Sequence, residues 1–414
     1  MRTPVYSDYK SLTRGLALTE LPAPEYLYVP LLQHVGAPAV SLVKKGDQVR
    51  RGQLIGSADA FVTANVHSPV SGEVADLVKI KNPQGNLVEA VKIKNDFQDE
   101  RDPNLKQYPP LAELDTENIR EIIREIGLVG LGGAAFPTHV KVSPPKDKKV
   151  DTLILNAAEC EPYLNADYRL LLEHPNEVVQ GLRLLAKAAC AVWVVVAIED
   201  NKKDVIAGLK NCGVEEFARI ALLPSVYPAG AEKVLVKRTV GRKIPNKGLP
   251  IDVGAVVVNV GTAYQLARSV QTGLPLLERV VTVSGEFANP GNYWVRLGTL
   301  YQDVVKLPEN FAKKDFRVIS GGPMMGFAMA ALDLPVAKGV SGIILLRSQV
   351  FTETNCLRCA RCVDACPLGL LPYRERGLTD CMECGLCAFV CPARKYLVQK
   401  IRQHKAAEKR ELSK

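Results

Sequence analysis

The sequence predicts a multidomain α/β protein, with a β-rich module on either side of a central α/β domain and a cysteine-rich C-terminal domain. Three observations carry that expectation. Short strand patterns broken by paired Gly turns fill residues 40–73, helix-period and strand-length apolar segments alternate from Asp115 onward, and eight of the eleven cysteines fall between Cys356 and Cys391. The 414 residues allow two to four domains at roughly 100–200 residues each. The composition, 47% hydrophobic and 23% charged, is that of a chain that buries a core.

In the first segment, Val43-Lys-Lys-Gly46-Asp-Gln-Val49-Arg-Arg-Gly52-Gln and His67-Ser-Pro69-Val-Ser-Gly72-Glu read as short strands joined by Gly turns, a small barrel-sandwich. No Lys occurs between Gln53 and Asp76, where a modified Lys of a swinging arm would sit, so a scaffold or docking role is expected over residues 1–100. Asp115–Gly127 reads as a helix: Asp115 or Thr116 caps it, Ile119, Ile122, Ile123 and Ile126 line one face, and Gly127 stops it. A Gly-rich segment, Gly127 to Thr138, precedes an apolar strand at Val150–Leu155, whose carboxyl end carries Asn156-Ala-Ala-Glu159-Cys160-Glu161-Pro162. The ends of such strands bind ligands, and Gly-rich loops let backbone N–H groups approach phosphates. Taken alone the loop is equally a plain turn, since it follows a helix rather than a strand. The α/β domain is expected over 112–275. Residues 276–350 alternate apolar and polar positions and predict a second β module.

The C-terminal cysteines form two runs, Cys356-x2-Cys359-x2-Cys362-x3-Cys366-Pro and Cys381-x2-Cys384-x2-Cys387-x3-Cys391-Pro. This is the run of two-cluster bacterial ferredoxins, in which three Cys of each group bind one cubane and the fourth ligates the other. The spacing therefore predicts two [4Fe–4S] clusters over residues 351–396. Cys356, Cys359, Cys362 and Cys391 would hold one, and Cys381, Cys384, Cys387 and Cys366 the other. Structural zinc sites use Cys-x2-Cys pairs rather than four-Cys runs ending in Cys-Pro. Cys190, beside Val192–Val196, reads as core, and Cys160 as a small residue packed under its loop.

The formal charge is +9, and residues 394–414 hold eight Lys/Arg against Glu408 and Glu411. Over 397–414 this reads as a basic tail, either solvated or bound to an anionic surface or an acidic partner. Nucleic acid is not expected, since no binding motif accompanies the charge. No apolar h-region opens the chain and no segment reaches the ~18 apolar residues of a membrane span. Membrane association is expected only through partners or the tail.

GLVGLGGAAFPTHVK (127–141), NAAECEP (156–162), YPAGAEK (227–233) and VNVGT (258–262) resemble, in the same order, the flavin-binding loops of the NADH-oxidising subunit of respiratory complex I. With NAAECEPYLNADYRLLLEHP (156–175) and GGPMMG (321–326) added, the chain is similar over essentially its whole length to the RnfC subunits of the Rnf ion-translocating ferredoxin:NAD⁺ oxidoreductases. The resemblance implies a lipoyl-like barrel-sandwich hybrid at the N-terminus, an FMN- and NADH-binding domain, a β-grasp module and a dicluster ferredoxin domain. It implies that Gly132 and Gly133 approach the FMN phosphate and Lys141 neutralises it. Asn156 and Glu159 would reach the ribityl chain or ring, and Tyr227, Gly230, Asn259 and Thr262 would complete the flavin pocket. Phe136 would stack on NADH, and Glu161 and Glu232 would bond its ribose or adenine. Ala158 stands where the complex I pattern has an acid.

The function so implied is that of a peripheral subunit at the cytoplasmic face of the cell membrane. It would pass electrons between NAD(H), FMN and the two clusters, with other subunits of the complex as partners and ferredoxin an indirect one. Two other readings stay open: a soluble flavin/Fe–S cobalamin reductase of a microcompartment, and a flavin-less ferredoxin-type carrier.

Overall fold

A computed structural model gives the fold and describes residues 8–412 except 146, 310, 314, 349 and 350. Two small sheets make the first unit. One has four strands in the order Tyr26–Pro30, Leu87–Asn95, Gly72–Lys81 and Gln48–Val49; the other has Val40–Ser41, Leu54–Ser57 and Val66–His67. Their alternating inward residues, among them Leu27, Val29, Ile55, Val74, Val91 and Ile93, close one apolar core. Residues 8–20, expected in this module, lie elsewhere: Leu18–Glu20 pairs in parallel with Asn292–Trp294 and extends the sheet of the third unit. The strand finds its hydrogen bonds at an open sheet edge, which no local pattern announces.

The second unit holds a four-stranded parallel sheet in the order Arg219–Leu223, Trp193–Glu199, Thr152–Ala157 and Ala255–Asn259. Val/Ile/Leu runs form these strands because helices cover both faces. Thr116–Glu125 is helical, as the Ile spacing predicts. Asp115 accepts from the Asn118 N–H at 2.8 Å, and Gly127 takes the positive φ of 64° that ends the helix. Helices Pro175–Ala188 and Val260–Thr272 cross where Gly181 lies against the Ala263 backbone, leaving no room for a side chain. Cys190 is not core: it sits exposed at φ 52° in the turn after the first of these helices, because the strand starts only at Trp193.

A mixed six-stranded sheet forms the third unit, in the order Leu18–Glu20, Gly291–Arg296, Glu278–Gly285, Gly342–Arg347, Phe316–Ser320 and Phe327–Met329. One buried lysine ties the three units together. The Lys338 Nζ donates to the Asn65 carbonyl (2.6 Å) and the Gly127 carbonyl (2.8 Å), its backbone N–H donates to Gln33, and burial pushes its pKa down to about 7.

The cysteine runs form the fourth unit with the helix Leu397–Leu412. The basic segment is thus not a free tail through its first turns. Lys400 meets Glu353 at 2.8 Å, while Arg402 and Lys405 meet Glu383 at 3.0 and 2.6 Å. Leu397, Val398 and Ile401 are buried beneath. An amphipathic period hidden among the charges explains the difference. Residues 413–414 lie outside the described residues.

Candidate functional site

In chain order the parallel sheet runs 3-2-1-4, so connections diverge to opposite sides between Thr152–Ala157 and Ala255–Asn259. At such a switch point a crevice opens outside the carboxyl ends of the strands. Asn156 and Asn259 stand there as register partners. The crevice widens into a cleft of about 870 Å³ lined by every residue named above for FMN and NADH.

The Gly-rich loop lies over the strand ends. Its Leu131 N–H donates to Thr262 Oγ1 at 2.9 Å, and Arg279, buried, donates to the Leu131 carbonyl at 3.2 Å. At Gly132 a Cβ would stand 3.2 Å from Asn259 Nδ2, and Gly133 has φ 115° with open space where a Cβ would be. The loop therefore presents backbone, not side chain, to the cleft. Phe136 is half-buried in its wall.

Several polar side chains are already engaged by the protein. Asn156 donates to the Gly230 carbonyl (2.8 Å) and accepts from the Ala158 N–H (3.2 Å), and Gly230 is pressed against the Ala158 carbonyl. Glu159 accepts from the Asp167 and Tyr168 N–H groups, at 3.1 and 3.2 Å, which caps the helix Ala166–Glu173. Glu161 accepts from the Met324 and Met325 N–H groups (3.1 and 2.9 Å) and so holds the GGPMMG loop of the third unit against the cleft. Burial pushes Glu161 up to about 7, against those N–H bonds and Lys10. Lys141 pairs with Glu232 at 2.7 Å. Asn259 caps its helix by accepting from Gly261 N–H (2.9 Å) and donates to Asp167 at 2.7 Å.

Asp167 belongs to the cleft although no motif singles it out. Burial and the nearby Glu159 charge raise its pKa, and it lines the cleft. Its place inside the 156–175 match is the one signal that could have found it. Met382, next to Cys381 in the second cysteine run, also lines the cleft and has no such signal.

Tyr227 is 2% exposed, and its hydroxyl donates to the Cys384 carbonyl at 2.7 Å. Tyr227, Ala365, Cys384 and Leu386 form one apolar cluster with Cys160, Met324 and Met382 at its edge. The second cysteine run thus adjoins the cleft wall. Cys160 is half-buried, desolvation pushes its thiol up to about 12, and its Sγ accepts from the Gly230 N–H at 3.4 Å.

The cysteines gather in two sets. Cys387 lies within electrostatic reach of Cys384, Cys381 and Cys366, and Cys362 within reach of Cys391 and Cys356. Among the described residues no three His, Cys, Asp or Glu side chains are placed to hold a single metal ion. The Arg358 and Glu383 N–H groups donate to Cys356 and Cys381 Sγ, both at 3.4 Å, a donor set suited to sulfur that carries charge. Cys384 and Cys387 are buried, whereas Cys356 and Cys359 are exposed.

Comparison with known proteins agrees with this architecture. Residues 5–98 match the RnfC barrel sandwich hybrid domain, 123–268 the Nuo51 FMN-binding domain and 280–328 the SLBB domain. The NAD⁺-reducing [NiFe]-hydrogenase in the air-oxidised state has a similar fold, with TM-score 0.50 and 22% identity over 73% of this chain and 55% of that one. Among curated proteins, the corresponding subunit of the proton-translocating ferredoxin:NAD(+) oxidoreductase complex of Clostridium ljungdahlii is 44% identical over 88% of this chain and 81% of the relative. Its counterpart in the Na(+)-translocating complex of Acetobacterium woodii is 42% identical over 86% and 83%. Identity at this level along nearly the whole chain places the protein in the RnfC family, one of the subunit types of the ion-translocating ferredoxin:NAD(+) oxidoreductase complexes.

Proposed function

We propose that the chain is the peripheral subunit of a membrane-bound ion-translocating oxidoreductase, and that it relays electrons between NAD(H) and two iron–sulfur clusters through FMN. One observation carries the reading: the cleft at the sheet's switch point shares a wall, through Tyr227 and Met382, with the inner cysteine set. FMN held there would supply two-electron exchange with a dinucleotide and one-electron exchange with a cluster, chemistry that calls for both neighbours.

The chain's own residues bind and orient. Backbone N–H groups around Gly132 and Gly133 would face the FMN phosphate, with Lys141 freed from Glu232 to neutralise it. Asn156, Glu159 and Asn259, locked by their protein partners, would keep the strand ends rigid under the flavin. Glu161 and Glu232 remain candidates for the dinucleotide's hydroxyls, Phe136 for its ring. Cys366, Cys381, Cys384 and Cys387 would hold the inner cluster, behind a water-excluding layer of Leu386 and Tyr227. Cys356, Cys359, Cys362 and Cys391 would hold the outer one, exposed toward another protein of the complex. The relay would run from cleft to inner to outer set, or the reverse. None of the described helices is long and apolar enough to cross a membrane. Attachment to the cytoplasmic face would therefore be through other subunits.

Protein purified anaerobically is expected to contain about eight iron and one FMN per chain, with flavin absorbance bleached by NADH. Iron without flavin and without an NADH response would overturn the reading and leave a ferredoxin-type carrier.

A further inference from the structure

The N-terminal unit does not end at its core. Its strands Gly72–Lys81 and Leu87–Asn95 pair from Gly72–Asn95 to Lys81–Leu87, with one register shift between Val74 and Asp76. The inner half is anchored by Val74, Val91 and Ile93 in the barrel-sandwich core. Beyond Asp76 one face of the hairpin opens to solvent, with Leu77 and Leu87 at 45% and 66% exposure, while Val88, Ala90 and Val91 stay buried. Its turn is rigid. Asn82 Oδ1 accepts from the Gln84 and Asn86 N–H groups (3.1 and 2.9 Å), and the Asn82 N–H donates to the Asn86 carbonyl at 2.9 Å. At this tip Lys81, Asn82, Pro83, Gln84 and Asn86 line the same cleft as Gly132 and Gly133. Past Glu89, whose carbonyl accepts from the Leu31 N–H, the hairpin runs on as two strands, and it is this last stretch that reaches the cleft.

Charge points the same way. The lysines lining the cleft are Lys81, Lys141 and Lys233. Lys141 is paired with Glu232 and Lys233 with Asp380, at 2.7 and 3.4 Å. His34, also in the lining, is held neutral, since burial lowers it to about 4. Among the described residues Lys81 makes no ion pair. Carboxylates in the same lining, Glu159, Glu161, Asp167 and Glu232, would repel an anionic ligand unless a cation faced it. Lys81 is exposed and therefore at the rim, where a ligand that must enter and leave is met, rather than at the depth of a resident cofactor.

We propose that the arm is a wall of the dinucleotide half of the cleft and that Lys81 faces the phosphates of NAD(H). The inference rests on the flavin and dinucleotide reading above. It gives the barrel-sandwich unit a part in substrate binding beyond that of a scaffold.

The test is NAD⁺ titration by calorimetry into FMN-loaded protein, with flavin content read by absorbance. Lys81→Ala is expected to raise Kd by about ten-fold, the scale of one charge-assisted contact, and Lys81→Glu by more. Lys81→Arg is expected to keep binding, and FMN content to stay unchanged in all three. The gap between Lys81→Ala and the unaltered protein should narrow as salt rises. Lys79→Ala removes the same charge two residues farther from the turn and outside the cleft lining, and should leave Kd unchanged. Three results overturn the proposal: an unchanged Kd in Lys81→Ala, an equal loss in Lys79→Ala, or a loss of FMN in place of NAD⁺ affinity. If the unaltered, FMN-loaded protein binds no NAD⁺, the site reading itself falls and the inference with it.

Discussion

Cys356–Cys366 and Cys381–Cys391 follow one backbone path twice. Arg358 and Glu383 take positive φ of 52° and 58°, Ala360 and Gly385 of 58° and 83°, and each of the latter opens a four-residue helix, Arg361–Asp364 or Leu386–Phe389. Beyond the fourth Cys, Gly369 and Arg394 match again at 67° and 53°. What differs is the setting. Leu386 is fully buried while its counterpart Arg361 is exposed, and Gly385 lies where a Cβ would come within 2.8 Å of the Met324 carbonyl. Ala360 carries the Cβ that this position of the second copy excludes. Cysteine spacing goes with the shared backbone path, and the residues between the cysteines decide which copy faces the cleft.

The largest expected effect comes from cutting the relay at one copy. Cys384→Ser and Cys359→Ser should each lose about four iron per chain. Only Cys384→Ser should abolish NADH-dependent reduction of the remaining cluster, followed by electron paramagnetic resonance. Equal loss of reduction in both variants would break the inner-versus-outer assignment.

Next is the anchor beneath the inner copy. Glu161 holds the Met324 loop that abuts Gly385, and its pKa in the fold, about 7, lies above the ordinary 4.5. A raised carboxyl favours the folded state while protonated, so that contribution is complete below pH 4.5 and lost as pH rises to about 7. At 1.36 kcal/mol per unit it is of the order of 3 kcal/mol. The difference in stability between the unaltered protein and Glu161→Gln, measured by denaturant unfolding at each pH, should change across that window and be flat above it. A difference independent of pH would refute the buried-carboxyl account.

The smallest effect tests the two left-handed positions. Gly385→Ala should destabilise by roughly 1–2 kcal/mol from the backbone, with the Met324 overlap added. Ala360→Gly should relieve the same strain and be neutral or slightly stabilising. The pair is read by denaturant midpoints, and similar shifts of one sign would show that the copies do not differ in crowding.

Legibility followed distance along the chain. The cysteine runs, the Asp115 cap, the Ile face of Thr116–Glu125 and the apolar sheet strands could all be read, because each is a contiguous pattern with its own period or spacing. The ion-paired face of Leu397–Leu412 was hidden by its charge, and Leu18–Glu20 by pairing with a strand more than 270 residues away. The cleft residues were legible only through resemblance, and their engagements were not: that Glu161 would hold Met324, or Asn156 the Gly230 carbonyl, follows from loops that meet only in space.

By itself, then, the sequence determined the repeated spacing of the C-terminal cysteines and which segments become buried strands and helices, since spacing and periodicity are local properties of the chain. Only the tertiary structure decided which cysteine set adjoins the cleft and which faces outward. It also decided that the arm tipped by Lys81 closes one side of that cleft. Tyr227 and Cys384 are 157 residues apart in sequence, and a hydrogen bond between them has no period to announce it: it exists because separately folded units bury their apolar faces against one another.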